Sequence, residues 1–362
     1  MLIQHTRTVT SSCSICMISI IAFSFFFVFF FFLFFFFKQK TAYEIVSRDW
    51  SSDVCSSDLR FQVDTQAAAL RGGASKTLGF ILPDLENTSY ARLAKLLEQG
   101  ARARGYQLLI AGSDDNPETE KALAQALKAR RCDALIVASA LPEHDPFYPD
   151  LQADGLPVIA VDRAQSPELI RCVVSDNQSA ADSLTRSVLT EGTGTVAWFD
   201  AVPDLAMTRE RRSGFEAAAR QLGWVTEVRS GARYDRQTGA ALMRDLLSSR
   251  ALPEALVTAS YTLLQGALDV LLEQPGGLTP ALKLATFGDD RLLDFLPVPV
   301  HSLPQNHEAI AAAALDQALA AIAEPQAPVQ PVTINRILKH RPARAQQASQ
   351  TTSPGAGPAP VA

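Results

Sequence analysis

Cysteine is scarce: the 362 residues hold five, and three of those, Cys13, Cys16 and Cys55, fall before residue 60. Only Cys132 and Cys172 remain for the body of the chain, which excludes a disulfide framework and suits a reducing compartment. Positive charge is in deficit, with 33 basic against 38 acidic residues and a net charge of -5. Such a balance argues against a surface that grips nucleic acid over its whole extent. Enzyme signatures are lacking as well: there is no GxGxxG after a strand, no GxxxxGK[ST], no GxSxG and no His or Cys cluster at metal-ligand spacing. His144, His301, His307 and His340 are scattered and read as surface or structural residues. No cofactor, metal or catalytic residue is expected, and a binding protein is a better reading than an enzyme.

Cys16 to Phe37 is an apolar stretch of 22 residues without a charge. At 1.5 Å per residue it could span a hydrocarbon core of about 30 Å. Its composition is wrong for a selected helix, because natural spans mix Leu, Ile, Val, Ala and Gly, whereas this one is nearly pure Phe through its middle. Ser24, Val28 and Leu33, which interrupt the Phe run, each have a codon one base from TTT, the mark of a slipping T-tract in DNA. The segment from Lys38 to Leu59 resembles a translated sequencing adapter. Phe37-Lys38-Gln39 offers no small-residue cleavage site, and Asp53-Val54 before Cys55 is no lipoprotein approach. Residues 1–59 are therefore read as an artefactual leader; attachment to a membrane follows only if it is genuine, and the expected location is the cytoplasm.

From Lys76 the texture changes. TLGFILP is a buried strand, SYARLAKLLEQGARARGY an amphipathic helix, and the alternation repeats through YQLLIAG, DALIVASA, LPVIAVD, CVVSD, TVAWFD, EVRSG, EALVTAS and KLATFGDD. Strands alternating with helices of 10 to 15 residues indicate parallel sheets covered on both faces. Roughly 260 residues are too many for one such sheet. The expected fold class is α/β, two doubly wound parallel-sheet lobes with a ligand cleft between them at the carboxyl ends of the strands. The expected partition places lobe one at about 76–172 plus 305–323 and lobe two at about 173–304 plus 324–341. Residues 60–75 form a linker before this core, and 342–362, rich in Pro, Ala, Ser, Thr and Gln, a disordered tail.

Polar groups stand just past the strand ends. PVIAVDRA ends on Asp162 and Arg163, a carboxylate that accepts from two hydroxyls beside a guanidinium that donates in a fork; a turn-side ion pair is the alternative. RERRSGF puts Arg211 near the start of a helix, where the dipole adds to its attraction for an anion, while Arg209 and Arg212 are expected in solvent. Ser260, Asp289 and Gln305 close three further strands, and Asp84, Asn87 and Ser89 lie in the polar turn after the first. Singly these are weak; together they outline a cleft for a sugar, and the concentrated positive charge suits a phosphorylated one.

PVIAVDRA, RERRSGF and HSLPQ resemble segments of ribose-type periplasmic binding proteins and of the lactose-repressor family. DLENTSY, HDPFY, ALVTASYTLLQGALDV and FGDDRLLDFL are similar to its fructose-repressor branch over about Arg60 to Arg341. The resemblance implies a periplasmic-binding-protein-like fold and an effector cleft lined by Asp162, Arg163, Arg211 and Gln305. It implies a fructose phosphate ligand, most simply fructose 1-phosphate with the 1,6-bisphosphate as the other option, and a homodimer or homotetramer that controls transcription. It also implies an N-terminal helix-turn-helix and a hinge helix, here DTQAAALRGGASK, with Leu70 as a minor-groove wedge and Arg71 and Lys76 on phosphates. The leader stands where the helix-turn-helix belongs, so operator DNA is an expected partner only with that module restored. The rival reading is a membrane-tethered or exported sugar-binding receptor.

Overall fold

The computed structural model describes residues 75–341 apart from 250, 251, 275, 276 and 280. The expectations for the leader, for Leu70 and Arg71 and for the tail lie outside the described residues. Lys76 is described: it is exposed with φ 54°, its N–H donates to Asp133 Oδ2 at 2.8 Å, and its ammonium stands 4.6 Å over the Tyr106 ring.

The first lobe builds β1 (Thr77–Leu82), α1 (Thr88–Ala103), β2 (Gln107–Gly112), α2 (Pro117–Ala129), β3 (Ala134–Val137), α3 (Phe147–Ala153), β4 (Val158–Val161) and β5 (Arg171–Ser175). The chain then crosses to a second lobe of α4 (Asn177–Val188), β6 (Thr195–Ala201), α5 (Ala206–Gln221), β7 (Val225–Gly231), α6 (Arg236–Ser249), β8 (Ala255–Thr258), α7 (Tyr261–Glu273), β9 (Lys283–Phe287) and β10 (Val300–Leu303). It returns through α8 (His307–Ala323) and β11 (Val332–Ile334). Every strand pair is parallel, in the orders β2-β1-β3-β4-β5-β11 and β7-β6-β8-β9-β10. Both sheets thus reverse direction beside their first strand, and a ligand crevice opens outside the carboxyl ends there. The expected fold class stands.

The central strands read as unbroken apolar runs because helices cover both faces: β3 and β4 are buried at every position, whereas the edge strands β2 and β7 are not. In the second lobe Trp198 and Phe215 stack at 4.8 Å in the middle of the core. Helices begin where a side chain replaces the missing carbonyl partner. Asn87 caps α1 through Ser89 N–H, Asn116 caps α2 through Thr119 N–H, and Ser260 caps α7.

The partition of the lobes needs correction. Strand β5 runs to Ser175 in the first sheet, and β11 pairs with β5 there, so neither 173–175 nor 332–334 belongs to the second lobe. An apolar edge gains from one more parallel strand, and β11 supplies it to β5. Beyond β11 the chain does reach the second lobe, where Lys339 bridges to Ser302. Helix α8 and strand β11 are not legible as elements in the sequence: α8 is Ala-rich on every face, and β11 is three residues long.

Candidate functional site

The crevice is a cavity of about 440 Å³ between the lobes. All nine residues expected in it line it: Asp84, Asn87, Ser89, Asp162, Arg163, Arg211, Ser260, Asp289 and Gln305. They do not all face it with free groups. Asn87 and Ser260 use their side-chain oxygens as helix caps, and Asp84 Oδ1 accepts from Glu86 N–H at 2.8 Å. Asp289 Oδ1 accepts from Arg341 Nη2 at 2.6 Å and from Ser302 Oγ at 2.8 Å, so it fastens the chain's third crossing.

Asp162 is the centre of the first-lobe wall. Its φ of 65°, in the left-handed region, turns it out of β4, and Tyr90 Oη and Gln305 Nε2 donate to its two oxygens at 2.9 and 3.0 Å. Burial alone would raise its pKa; the Arg211 and Arg336 guanidiniums and the Tyr90 hydroxyl outweigh that and hold it below the ordinary carboxylate value. Gln305 in turn accepts from Ser89 Oγ at 2.8 Å, and His307 Nε2 stands 2.8 Å from the same hydroxyl. His307 is thus a cleft residue rather than a surface one. Burial first, then Arg92 and Arg336, push its pKa down and keep it neutral at pH 7.

Three guanidiniums meet in the cleft. Arg163, 4% exposed, donates through Nη1 to Asp115 Oδ1 at 2.6 Å and to Ser139 O at 3.1 Å. Arg211, also 4% exposed, donates to Asn177 Oδ1 at 2.8 Å and Ala259 O at 3.0 Å and lies 4.4 Å over the Phe287 ring. Its helix can approach α4 so closely because residue 214 is glycine; a Cβ there would sit 2.1 Å from Gln178 O. Arg336 comes from the segment after β11, stacks 5.4 Å from the same Phe287 and stands 3.9 Å from Asp162 Oδ1. Burial, then the neighbouring Arg211, depress its pKa to about 9. The Nε–H groups of Arg163 and Arg336 are buried and donate to nothing among the described residues. An unmet buried donor is costly, and an anionic, oxygen-rich ligand would satisfy both.

Arg336, Tyr90, Asp115 and His307 escape the sequence reading. The strand-end rule that finds Asp162 would find Arg336 had β11 been recognisable. Arg209 is exposed, as expected, and reaches Glu143 of the other lobe at 3.2 Å, whereas Arg212 is half-buried and pairs with the fully buried Asp200 at 2.8 Å, which in turn accepts from Trp198 Nε1. Among the described residues no group of three potential metal ligands occurs, and no helix is long and apolar enough to cross a membrane.

Residues 75–281 match the family of periplasmic binding proteins and sugar-binding domains of the LacI family. The fructose operon regulatory protein of Vibrio cholerae is 52% identical over 264 residues, 73% of this chain and 81% of that one. The catabolite repressor/activator of Escherichia coli is 40% identical over 262 residues, 72% and 78% of the two chains. Among solved structures, the Cra transcriptional dual regulator of Pseudomonas putida in complex with fructose 1-phosphate is similar, with a TM-score of 0.71, 48% identity and coverage of 74% of this chain and 98% of that one. A periplasmic solute-binding protein from Actinobacillus succinogenes with bound D-allose, 15% identical at a TM-score of 0.65, shares the fold alone. The relatives at high identity are transcription regulators, and this chain belongs to the LacI family, as a homologue of the fructose operon regulatory protein and of the catabolite repressor/activator.

Proposed function

We propose that residues 75–341 are the effector-sensing core of a DNA-binding transcription regulator and that its effector is a fructose phosphate, fructose 1-phosphate. The carrying observation is Arg211: among the described residues it is the lining arginine with no carboxylate within 4 Å, although it is almost fully buried. Asp162 compensates it only from beyond ion-pair distance, which leaves room for an anion in contact, and a phosphate accepts from a guanidinium fork. Arg336 adds a second positive face to the same phosphate. Asp162, Gln305 and Arg163 serve the sugar hydroxyls, and Ser260 and Ser89 lie within the same walls. The receptor alternative shares the fold, but high identity falls with regulators.

Because Asp162 and Arg163 belong to one lobe and Arg211 to the other, a ligand that touches all three binds best when the lobes are closed. Closure in a homodimer or homotetramer changes the spacing of the two DNA-binding modules and with it operator affinity, by a coupling equal to the ligand's differential affinity for the two states. Such a regulator works in the cytoplasm, beside the chromosome. Isothermal calorimetry of the protein with fructose 1-phosphate, alongside Arg211→Ala, tests the reading: saturable binding that the substitution removes supports it, and no heat with the folded wild type refutes it.

A further inference from the structure

Asp115 is an acidic residue in a turn that the backbone strains to build. Asp114 and Asp115 both lie in the left-handed region, with φ of 54° and 53°. The turn is nonetheless held firmly. Ser113 N–H donates to Leu82 O at 2.9 Å, Asp115 N–H to Pro83 O at 3.1 Å and Asn116 N–H to Ser113 O at 3.0 Å, while Asn116 caps α2. The result places one carboxylate oxygen 2.6 Å from Arg163 Nη1, in a pair whose side chains are 13% and 4% exposed. Strain that the surroundings enforce marks a position with a task beyond folding.

That task is visible in the charges around the cavity. Arg92 is paired with Glu308, Arg163 with Asp115 and Arg336 with Asp162. Arg211 alone among the described lining arginines has no carboxylate within 4 Å, although it couples to Asp162 from farther off. A first phosphate therefore finds a guanidinium without an ion-pair contact, with Arg336 against the same Phe287 ring. A second phosphate on the same ligand finds Arg163 and Arg92 already paired with carboxylates, and the further carboxylates of Asp84 and Asp290.

Resting on the sugar-phosphate reading above, we propose that Asp115 is a specificity-determining residue: by neutralising and anchoring Arg163 it restricts the cleft to ligands with a single phosphate. Arg163 is thereby kept for hydroxyl and ring oxygens, through the Nε–H that has no protein acceptor. Without the Asp115 charge, Arg163 becomes a second open cation, and doubly phosphorylated ligands gain more from it than singly phosphorylated ones.

The test is calorimetry of fructose 1-phosphate and fructose 1,6-bisphosphate at one fixed ionic strength, since screening changes both. The wild type is expected to bind the bisphosphate at least tenfold more weakly. Asp115→Asn, which keeps an oxygen for Arg163 Nη1, is expected to narrow that gap at least tenfold, or 1.4 kcal/mol. Arg163→Gln, which leaves the Asp115 carboxylate unpaired, is expected to widen it. General damage to the fold would weaken both ligands together and could not move the ratio in opposite directions. Equal wild-type affinities for the two sugars overturn the proposal without any variant, as does a ratio unmoved by either substitution. A wild type that binds neither sugar phosphate overturns the functional reading and this proposal together; intact binding with an unmoved ratio removes the proposal alone.

Discussion

Replacing Arg211 by alanine removes the charge on which the cleft is proposed to depend, and its cost can be worked from the neighbours. Two charge-assisted hydrogen bonds to a phosphate contribute about 1.5–3 kcal/mol each, or about 3–6 kcal/mol together. Part of the phosphate's hold is retained, because Arg336, with a pKa of about 9, stays charged at pH 7 with or without Arg211 and lies against the same Phe287 ring. A net loss of about 3 kcal/mol remains, a rise in Kd of about 150-fold. Stability of the free protein should change little. The lost bonds to Asn177 Oδ1 and Ala259 O and the lost Phe287 contact oppose the relief of two buried cations that crowd one another. The assay pairs calorimetry with thermal denaturation, with and without fructose 1-phosphate. Wild-type Tm should rise with ligand, and the variant should start near the same Tm and gain almost nothing. A variant that binds within threefold of wild type would refute the assignment of Arg211, and with it the argument from unpaired charge.

The depressed Arg336 makes binding pH-dependent: its folded pKa of about 9 lies well below the ordinary guanidinium range, so the free protein loses that proton first. Affinity for the phosphate should fall as pH rises through about 9, with proton uptake on binding detectable by calorimetry in buffers of different ionisation heat. Burying this cation costs stability below about pH 9, and that cost fades above it, so part of the folding penalty should lift as pH rises above about 9 while ligand affinity declines. Gly214→Ala would drive a Cβ to 2.1 Å from Gln178 O; pushing α5 off α4 should cost about 1–3 kcal/mol in denaturant unfolding and weaken ligand through Arg211 on the same helix. Arg341→Ala removes bonds to Asp289 at 2.6 Å, Asp294 at 2.5 Å and Ser302 at 2.6 Å. Leaving Asp289 without its main partner should cost about 3 kcal/mol of stability and, by freeing the segment that carries Arg336, raise the Kd measured by calorimetry; an unchanged Kd would detach that segment from the site.

The alternation of apolar runs with amphipathic stretches determined the two parallel-sheet lobes, because strands covered on both faces must be apolar at every position, as β3 and β4 are. The same local grammar located Asp162, Ser260, Asp289 and Gln305, since a parallel strand delivers whatever follows its carboxyl end to the crevice, and Arg211 was found through the helix that follows β6. What each of these residues does there was settled only by packing. Asn87 and Ser260 became caps and Asp289 a fastening for Arg341 because nearer partners claimed their oxygens. Arg163 was tied to Asp115, 48 residues earlier in the chain, and Asp162 to Gln305, 143 residues later. No local pattern encodes such distances. Arg336 and His307 entered the cleft on elements whose sequences carry no periodic signal, an Ala-rich helix and a three-residue edge strand, which exist because the neighbouring sheet and helices bury them. Which of four lining arginines has no carboxylate in contact is a property of their pairing in space, and only the tertiary structure could decide that it is Arg211.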